Sequence, residues 1–206
     1  AMLIAYLSGS VPVGYIVARL YGVDVTASGS GRIGGTNVLR SAGPSAAGLT
    51  VLGDVLKGLV PVYFAQIVLD PIIVSLVMVA AVIGHNYSIF LKFRGGVGAG
   101  TAIGTVGGVS FTVGVLTAAL ALIALGISRY ASILSTTVAL SSVVLLTISA
   151  MLGYTPYGFI LGAVLNLVVI VNALRPNYAR LRAGTERKVG QKSENIAKIP
   201  PKKTSG

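Results

Sequence analysis

Residues 72–91, IIVSLVMVAAVIGHNYSIFL, form an apolar run about as long as the roughly 20 residues that cross a bilayer as one helix. A second apolar run at 47–68 precedes it, and Leu69-Asp70-Pro71 separates the two. Because proline ends a helix, we predict a tight helical hairpin at this point. The apolar runs that recur along the chain lack the alternation of polar and apolar residues that is typical of strands. The expected fold class is therefore all-α, a polytopic integral membrane protein.

The composition agrees with this class and excludes several functions. Of the 206 residues, 54% are hydrophobic and only 10% are charged, which is too little polar surface for a soluble domain of this length. The net charge of +11 comes from thinly scattered basic residues, so it fits the cytoplasmic loops of a membrane protein better than a nucleic-acid partner. With no cysteine, one histidine and five acidic residues, the chain offers no ordinary metal site. We expect no metal and no other cofactor.

The apolar segment at 102–128 is too long for one untilted span. A break near Gly107-Gly108-Val109-Ser110 would give a short helix and a full one, and would return Arg129 to the side of Lys92 and Arg94. We therefore expect about seven transmembrane helices, of which the short fourth helix either spans or re-enters the membrane. The expected spans are 2–21, 47–68, 72–91, the two helices on either side of the break, 132–151 and 157–174.

The distribution of basic residues orients these helices. The predicted external turns carry no lysine or arginine, whereas the glycine-rich stretches, Arg129 and the end of the chain carry most of them. We expect a multi-pass protein of the cell inner membrane, with its N-terminus outside and its active site facing the cytoplasm. Residues 1–184 are predicted to form a single membrane domain, and 185–206 a basic, disordered cytoplasmic tail beside anionic lipid head groups.

The polar stretch GSGRIGGTNVLR at 29–40 lies between two apolar runs and has the composition of an anion cradle. Gly29 and Gly31 allow the backbone to bring N–H groups close to an oxyanion. Side-chain donors around such a cradle would come from Ser30, Thr36, Asn37 and Arg40. The alternative is an irregular loop at the membrane surface, in which Arg40 serves only as a positive anchor.

A second glycine-rich stretch carries His85, the only histidine of the chain. Arg94 and the glycines Gly95 and Gly96 follow it and lead into an apolar helix, whose free N-terminal N–H groups could bind phosphate. The stretch is a poor Walker A loop, because no Gly-Lys-Ser or Gly-Lys-Thr closes it. The alternative role for His85 is that of a neutral residue that caps the end of a helix.

Polar residues at membrane-embedded helix ends are functional candidates, and the predicted topology brings both stretches to one face. A shared pocket of this kind would be positive and would prefer a phosphate group to a neutral ligand. Asp54 and Lys57, one helical turn apart, are expected to form a structural ion pair. Since no Ser-His-Asp triad is evident, catalysis would depend on positioning and on charge stabilisation, with a group of the substrate serving as base.

The blocks GSGRIGGTNVLRSAG (29–43) and GHNYSIFLKFRGGVGAGT (84–101), with Ser-Gly-Ser-x-Pro-x-Gly at 8–14, resemble one family of bacterial enzymes. This is the glycerol-3-phosphate acyltransferase family that uses acyl-phosphate as donor, commonly called PlsY. The resemblance covers nearly the whole chain. It implies a seven-helix membrane enzyme of phospholipid biosynthesis that transfers a fatty acyl group from acyl-phosphate to the sn-1 hydroxyl of glycerol 3-phosphate. The products would be lysophosphatidic acid and phosphate.

The resemblance also implies roles for individual residues. Ser30, Asn37 and Arg40 would bind phosphate in the catalytic centre, and His85 would hold and polarise the reacting groups. The other expected substrate-binding residues are Gly29, Gly31, Thr36, Arg94, Gly95, Gly96, Ser132 and Asn177.

This chain departs from the pattern of the family at several positions. The family usually has lysine where this chain has Val97, and histidine where it has Leu174. It usually has asparagine where this chain has Arg32, and we expect Arg32 to replace part of the missing positive charge.

Two alternatives to the acyltransferase remain at this stage. A small-anion transporter would also need a positive pocket, but it predicts an inverted repeat, and the sequence has none that we detect. A non-catalytic phosphate- or lipid-binding paralogue would keep the cradle and lose the groups that act on the transition state. The expected partners are acyl-phosphate, glycerol 3-phosphate and membrane lipid, and we expect a monomer.

Overall fold

A computed structural model describes residues 1–191 and 196–199 of the chain. The regular elements in these residues are helices. They are α1 (Met2–Ser10), α2 (Val13–Leu20), α3 (Gly35–Ala42), α4 (Pro44–Val68), α5 (Pro71–Asn86), a 3-10 turn (Ile89–Leu91), α6 (Ala99–Val109), α7 (Phe111–Ser128), α8 (Ala131–Met151) and α9 (Gly158–Arg182).

Within the described residues, six helical segments are long and apolar enough to cross a membrane. The first combines α1 and α2, which bend at the proline between them, and the others are α4, α5 with the 3-10 turn, α7, α8 and α9. The seventh, α6, has 11 residues and is about 16 Å long at 1.5 Å per residue, about half of the hydrocarbon core. The prediction of a polytopic helical protein with one short helix is therefore confirmed.

The two predicted interruptions lie where the sequence placed them. Asp70 caps the N-terminus of α5, and its Oδ1 accepts a hydrogen bond from the backbone N–H of Ile72 at 2.9 Å. Ser110 separates α6 from α7, and its side chain accepts from the backbone N–H of Val113. Each break therefore has a side-chain cap for the helix that follows, which satisfies one of the free N–H groups at that helix end.

Small residues allow the helices to pack at close range. A Cβ at Gly104 would lie 2.0 Å from the carbonyl oxygen of Val55, so that α6 and α4 touch through their backbones. A Cβ at Gly9 would lie at the same distance from the carbonyl oxygen of Ala81, and one at Gly14 would meet that of Ile33. Close approach through small residues is typical of helices in membranes, where dispersion forces replace the hydrophobic effect. The Ser-Gly-Ser-x-Pro-x-Gly pattern at 8–14 thus serves packing.

Part of the chain end lies against the helical body. Residues 185–191 and 196–199 are described and contact the helical body, whereas 192–195 and 200–206 lie outside the described residues. The backbone of Val23 pairs with Lys198, and that of Tyr130 pairs with Lys188, in two isolated antiparallel bridges. In these contacts, backbone carbonyl and N–H groups of the chain end form hydrogen bonds with backbone groups of the helical body. Composition alone does not reveal such pairing.

Candidate active site

One cavity of about 820 Å³ opens at the end of the molecule where α5 ends and α6 and α8 begin. Both glycine-rich stretches reach it, together with residues 185–187 and 189 of the chain end. Its charged lining consists of four arginines, two acids and the histidine. These residues are Arg32, Arg40, Arg180, Arg187, Asp54, Glu186 and His85.

Asn37 holds the first glycine-rich stretch in its shape. Its Nδ2 donates to the backbone carbonyls of Val25, Ser28 and Arg32 at 3.2, 3.0 and 2.8 Å, and its Oδ1 accepts from the N–H of Ser30 at 3.1 Å. Asn37 is buried, so these contacts use the hydrogen-bonding capacity of the amide. It therefore supports the shape of the cradle, and Ser30 stays exposed on the cavity side.

Two glycines of this stretch have backbone conformations that other residues rarely adopt. Gly29 and Gly31 have φ angles of 58° and 69°, in the left-handed region. Gly29 lines the cavity, and Gly31 does not. The glycines of the predicted cradle therefore set the course of the loop, and one of the two presents its backbone to a ligand.

Arg40 lies at the junction between α3 and the chain end. Its Nη2 donates to the backbone carbonyls of Arg187 and Lys188 at 2.9 and 3.3 Å, and its buried Nε has no partner within the described part of the chain. Burial lowers the pKa of Arg40 from its usual value, and the nearby Arg187 adds to this effect. A bound phosphate would restore the favourable charge environment that burial removes.

A polar network connects the first stretch to α9. Arg32 donates from Nη1 to Oδ1 of Asn177 and from Nη2 to the carbonyl of Ala173, both at 2.9 Å. Nδ2 of Asn177 donates to Glu186 at 2.8 Å, and the other carboxylate oxygen of Glu186 accepts from Nε of Arg180 at 3.0 Å. The guanidinium of Arg32 thus lies against α9 in the turn that carries Leu174.

His85 lies at the end of α5 and is 2% exposed. Its Nδ1 is 3.5 Å from Oδ1 of Asp54, and the same oxygen is 2.8 Å from Nζ of Lys57. The predicted ion pair between Asp54 and Lys57 is present, in the protein interior. Asp54 and His85 line the cavity, and Lys57 does not.

The second glycine-rich stretch packs directly on the end of α5. A Cβ at Gly95 would lie 2.0 Å from the carbonyl oxygen of His85, and one at Gly96 would lie 2.2 Å from Nε2 of its ring. Gly96 also donates its N–H to the carbonyl of His85 at 3.2 Å. Gly96 lines the cavity, whereas Gly95 and the exposed Arg94 do not. Arg94 therefore lies outside the group of predicted residues that the structure brings together.

Ser132 lies in the first turn of α8 and is completely buried. Its Oγ has no partner among the residues that the structure describes, and the residue lines the cavity. The first N–H groups of a helix are free in the same way, so this wall offers donors to an anion.

The other part of the cavity is apolar and reaches the lipid-facing surface. Val51 of α4 and Leu122 of α7 line it and are 48% and 62% exposed. Ile103 of α6 forms part of the same wall. The cavity therefore connects a cationic end to an opening between α4 and α7 whose apolar lining suits an alkyl chain.

Of the predicted site residues, most converge on this cavity. Those that line it are Gly29, Ser30, Thr36, Asn37, Arg40, His85, Gly96, Ser132 and Asn177. Sequence analysis missed Arg180 and Glu186 as residues of the site, and it missed the contact between Asp54 and His85. A signal for Glu186 exists, because it is an acid in a basic segment. No trio of His, Asp, Glu or Cys that could hold a metal occurs in residues 1–191 and 196–199.

The fold and the cavity define a polytopic membrane protein in which a cavity joins an arginine-lined end to an apolar branch. The family model described as Glycerol-3-phosphate acyltransferase matches residues 1–184, and the chain belongs to this family of acyltransferases. The predicted family and enzyme class are thereby confirmed.

Similar proteins cover nearly the whole chain. A glycerol-3-phosphate acyltransferase of Thermotoga petrophila is 38% identical over 191 residues, which are 91% of this chain and 94% of the relative. That of Carboxydothermus hydrogenoformans is 41% identical over 192 residues, 92% of this chain and 95% of the relative. The crystal structure of PlsY (YgiH) in its glycerol 3-phosphate form has a TM-score of 0.84 at 34% identity, and covers 92% of this chain and 94% of its own.

Proposed function

We propose that this protein transfers a fatty acyl group from acyl-phosphate to the sn-1 hydroxyl of glycerol 3-phosphate, at the cytoplasmic face of the cell inner membrane. The observation that carries the proposal is the continuity between an arginine-lined end and an apolar branch that opens to lipid. Both substrates carry phosphate and one carries an alkyl chain, so a single cavity of this kind can hold them together. The similar PlsY has been crystallised in glycerol 3-phosphate and lysophosphatidic acid forms.

The reaction balances without a cofactor. The acceptor hydroxyl oxygen attacks the carbonyl carbon of acyl-phosphate and forms the new ester bond. The bond between this carbon and the phosphate oxygen breaks, and inorganic phosphate leaves with the electron pair and with the proton of the hydroxyl. Because negative charge moves to the leaving phosphate, fixed cationic groups beside it lower the barrier.

The residues of the cavity divide between binding and orientation. Arg40, Ser30 and the N-terminus of α8 with Ser132 supply charge and donors to the phosphate groups. Arg32 and Asn177 form the opposite polar wall. His85 orients the reacting hydroxyl, and Asn37 keeps the first stretch in its shape. The active unit of the proposal is a monomer.

Acyl transfer is tested with the protein purified in detergent, palmitoyl-phosphate and glycerol 3-phosphate, with phosphate and lysophosphatidic acid measured together. We expect phosphate release that requires the acceptor. Arg40→Ala should reduce kcat/KM by at least about 10-fold, since a hydrogen bond to a charged group contributes about 1.5–3 kcal/mol.

Arg182→Ala is the matched control, because Arg182 is exposed in the last turn of α9 and does not line the cavity. It should leave transfer unchanged. Phosphate uptake into liposomes without formation of lysophosphatidic acid would overturn the proposal and favour a transporter.

A further inference from the structure

Asp54 is a buried carboxylate in the middle of a membrane-crossing helix. Such a group is costly to keep in an apolar helix and is therefore a functional candidate. Lys57 balances its charge at 2.8 Å, but Nζ of Lys57 also donates to the carbonyl of Val11 at 3.0 Å, away from the cavity. Asp54 nevertheless lines the cavity. An ion pair with Lys57 alone would not require this position.

The two nitrogens of His85 have different surroundings. Nδ1 is 3.5 Å from Oδ1 of Asp54, and both atoms are buried without a hydrogen bond among the described residues. Nε2 lies against Gly96, at the wall of the cavity. The other carboxylate of the cavity, Glu186, accepts hydrogen bonds from Asn177 and Arg180. Asp54 is thus the acid that contacts the imidazole.

We infer that Asp54 is the positioning residue of His85: it keeps the proton of the neutral ring on Nδ1 and leaves the lone pair of Nε2 toward the cavity. There Nε2 accepts a hydrogen bond from the acceptor hydroxyl. A carboxylate at one ring nitrogen fixes both the tautomer and the direction of the other nitrogen. The part of this inference that concerns the hydroxyl rests on the proposed function, and the part that concerns the tautomer does not.

The tautomer is measured by ¹⁵N NMR of the detergent-solubilised protein labelled at histidine. Since His85 is the only histidine, one pair of ring signals reports it without assignment. In the neutral ring we expect a protonated Nδ1 and an unprotonated Nε2. Asp54→Asn should shift the population toward the tautomer protonated at Nε2, because the amide no longer offers an anionic acceptor. Unchanged ring signals in Asp54→Asn would overturn the inference.

The kinetic test separates positioning from charge balance. In Asp54→Asn we expect kcat to fall by roughly 100-fold, because a misplacement of a reacting group by about 1 Å can cost about 10²-fold in rate. KM for glycerol 3-phosphate should change little, because its phosphate is held by other residues.

In Asp54→Asn with Lys57→Gln, no buried charge is left unpaired. This double variant should fold and keep both the low kcat and the altered ring signals, and recovery of kcat would overturn the inference.

The matched control is Asp70→Asn, which changes a carboxylate in the turn before α5, where asparagine also caps a helix. It should leave kcat and the ring signals unchanged. If the wild-type protein shows the Asp54-dependent tautomer and no acyl transfer, the proposed function fails while the contact between Asp54 and His85 stands. If transfer proceeds and Asp54→Asn leaves kcat unchanged, the positioning role fails by itself.

Discussion

Gly96 lies where the ring of His85 leaves no room for a side chain. A Cβ at this position would lie 2.2 Å from Nε2, well inside van der Waals contact, and its φ angle is not in the left-handed region. We expect Gly96→Ala to displace the imidazole and to reduce kcat/KM by about 10-fold or more, because a misplacement of a reacting group by about 1 Å can cost about 10²-fold in rate. Acyl transfer and the ring signals of His85 both measure this displacement.

Gly48→Ala is the comparison for this change. Gly48 lies inside α4 with nothing within 4 Å of an added Cβ, so alanine is tolerated sterically there. Alanine also favours the helix by about 1 kcal/mol, so the thermal midpoint should stay the same or rise. Wild-type activity and unshifted ring signals in Gly96→Ala would show that the ring does not depend on this contact.

Single residues show where sequence reasoning ends. The sequence indicates that Asn37 is a hydrogen-bonding residue of the first glycine-rich stretch, and in the structure its side chain makes hydrogen bonds within this stretch. It does not reveal that three backbone carbonyls engage Nδ2, which changes the role of Asn37 from contact with ligand to support of the loop. The residue type shows which hydrogen-bond donors a side chain carries. Only the fold shows which of these donors remain free to bind a ligand.

At the scale of elements, the segment at 185–191 acts as a strap across the cavity. Glu186 ties it to α9, the carbonyls of Arg187 and Lys188 accept from Arg40, and the N–H of Val189 donates to the carbonyl of Arg129 at 2.7 Å. The strap therefore connects α3, α9 and the turn before α8. Its removal should free Arg40 and open one wall of the cavity.

A chain that stops after Gly184 tests the strap. Since Arg40 loses the carbonyls that hold its side chain, we expect its contact with phosphate, about 1.5–3 kcal/mol, to weaken and kcat/KM for glycerol 3-phosphate to fall by at least about 10-fold. A chain that stops after Ile199 keeps every described contact of the segment and should retain transfer. Equal activity of the two truncated proteins, at equal folded yield, would show that the strap has no part in the site.

The elements differ in how far the sequence predicts them. The break at Ser110 follows from the length of the apolar segment and from the charge of Arg129, and the hairpin follows from Pro71. The strap gave no such signal, because basic and polar residues also compose disordered tails, and its order depends on backbone groups far away in the sequence. Local patterns report local structure, and long-range backbone pairing leaves little trace in composition.

At the scale of the whole molecule, the cavity combines what no single element carries. Positive residues gather at one end because lysine and arginine of the connecting loops stay on one face, and this much follows from the sequence. The apolar branch arises where α4 and α7 stand apart above α6, so that Val51 and Leu122 border a shared opening. Helix faces that contact lipid, protein or a groove have similar apolar compositions. Only the arrangement of the helices shows which of these environments a given residue faces.

The orientation of the cavity in the membrane is the prediction that belongs to this scale. The chain contains no cysteine, so single cysteines can be introduced without removing native ones. Lys92→Cys places a thiol in the exposed connection between α5 and α6 near the cavity, and Tyr154→Cys places one at the opposite end, where the tyrosine is 81% exposed. Because basic residues concentrate at the cavity end, an impermeant maleimide should label Tyr154→Cys in intact cells and Lys92→Cys only after permeabilisation.

Both variants leave the cavity lining intact, so each can be checked for transfer in the same preparation. Labelling of Lys92→Cys in intact cells would place the cavity on the outer face, where acyl-phosphate made inside the cell could not reach it.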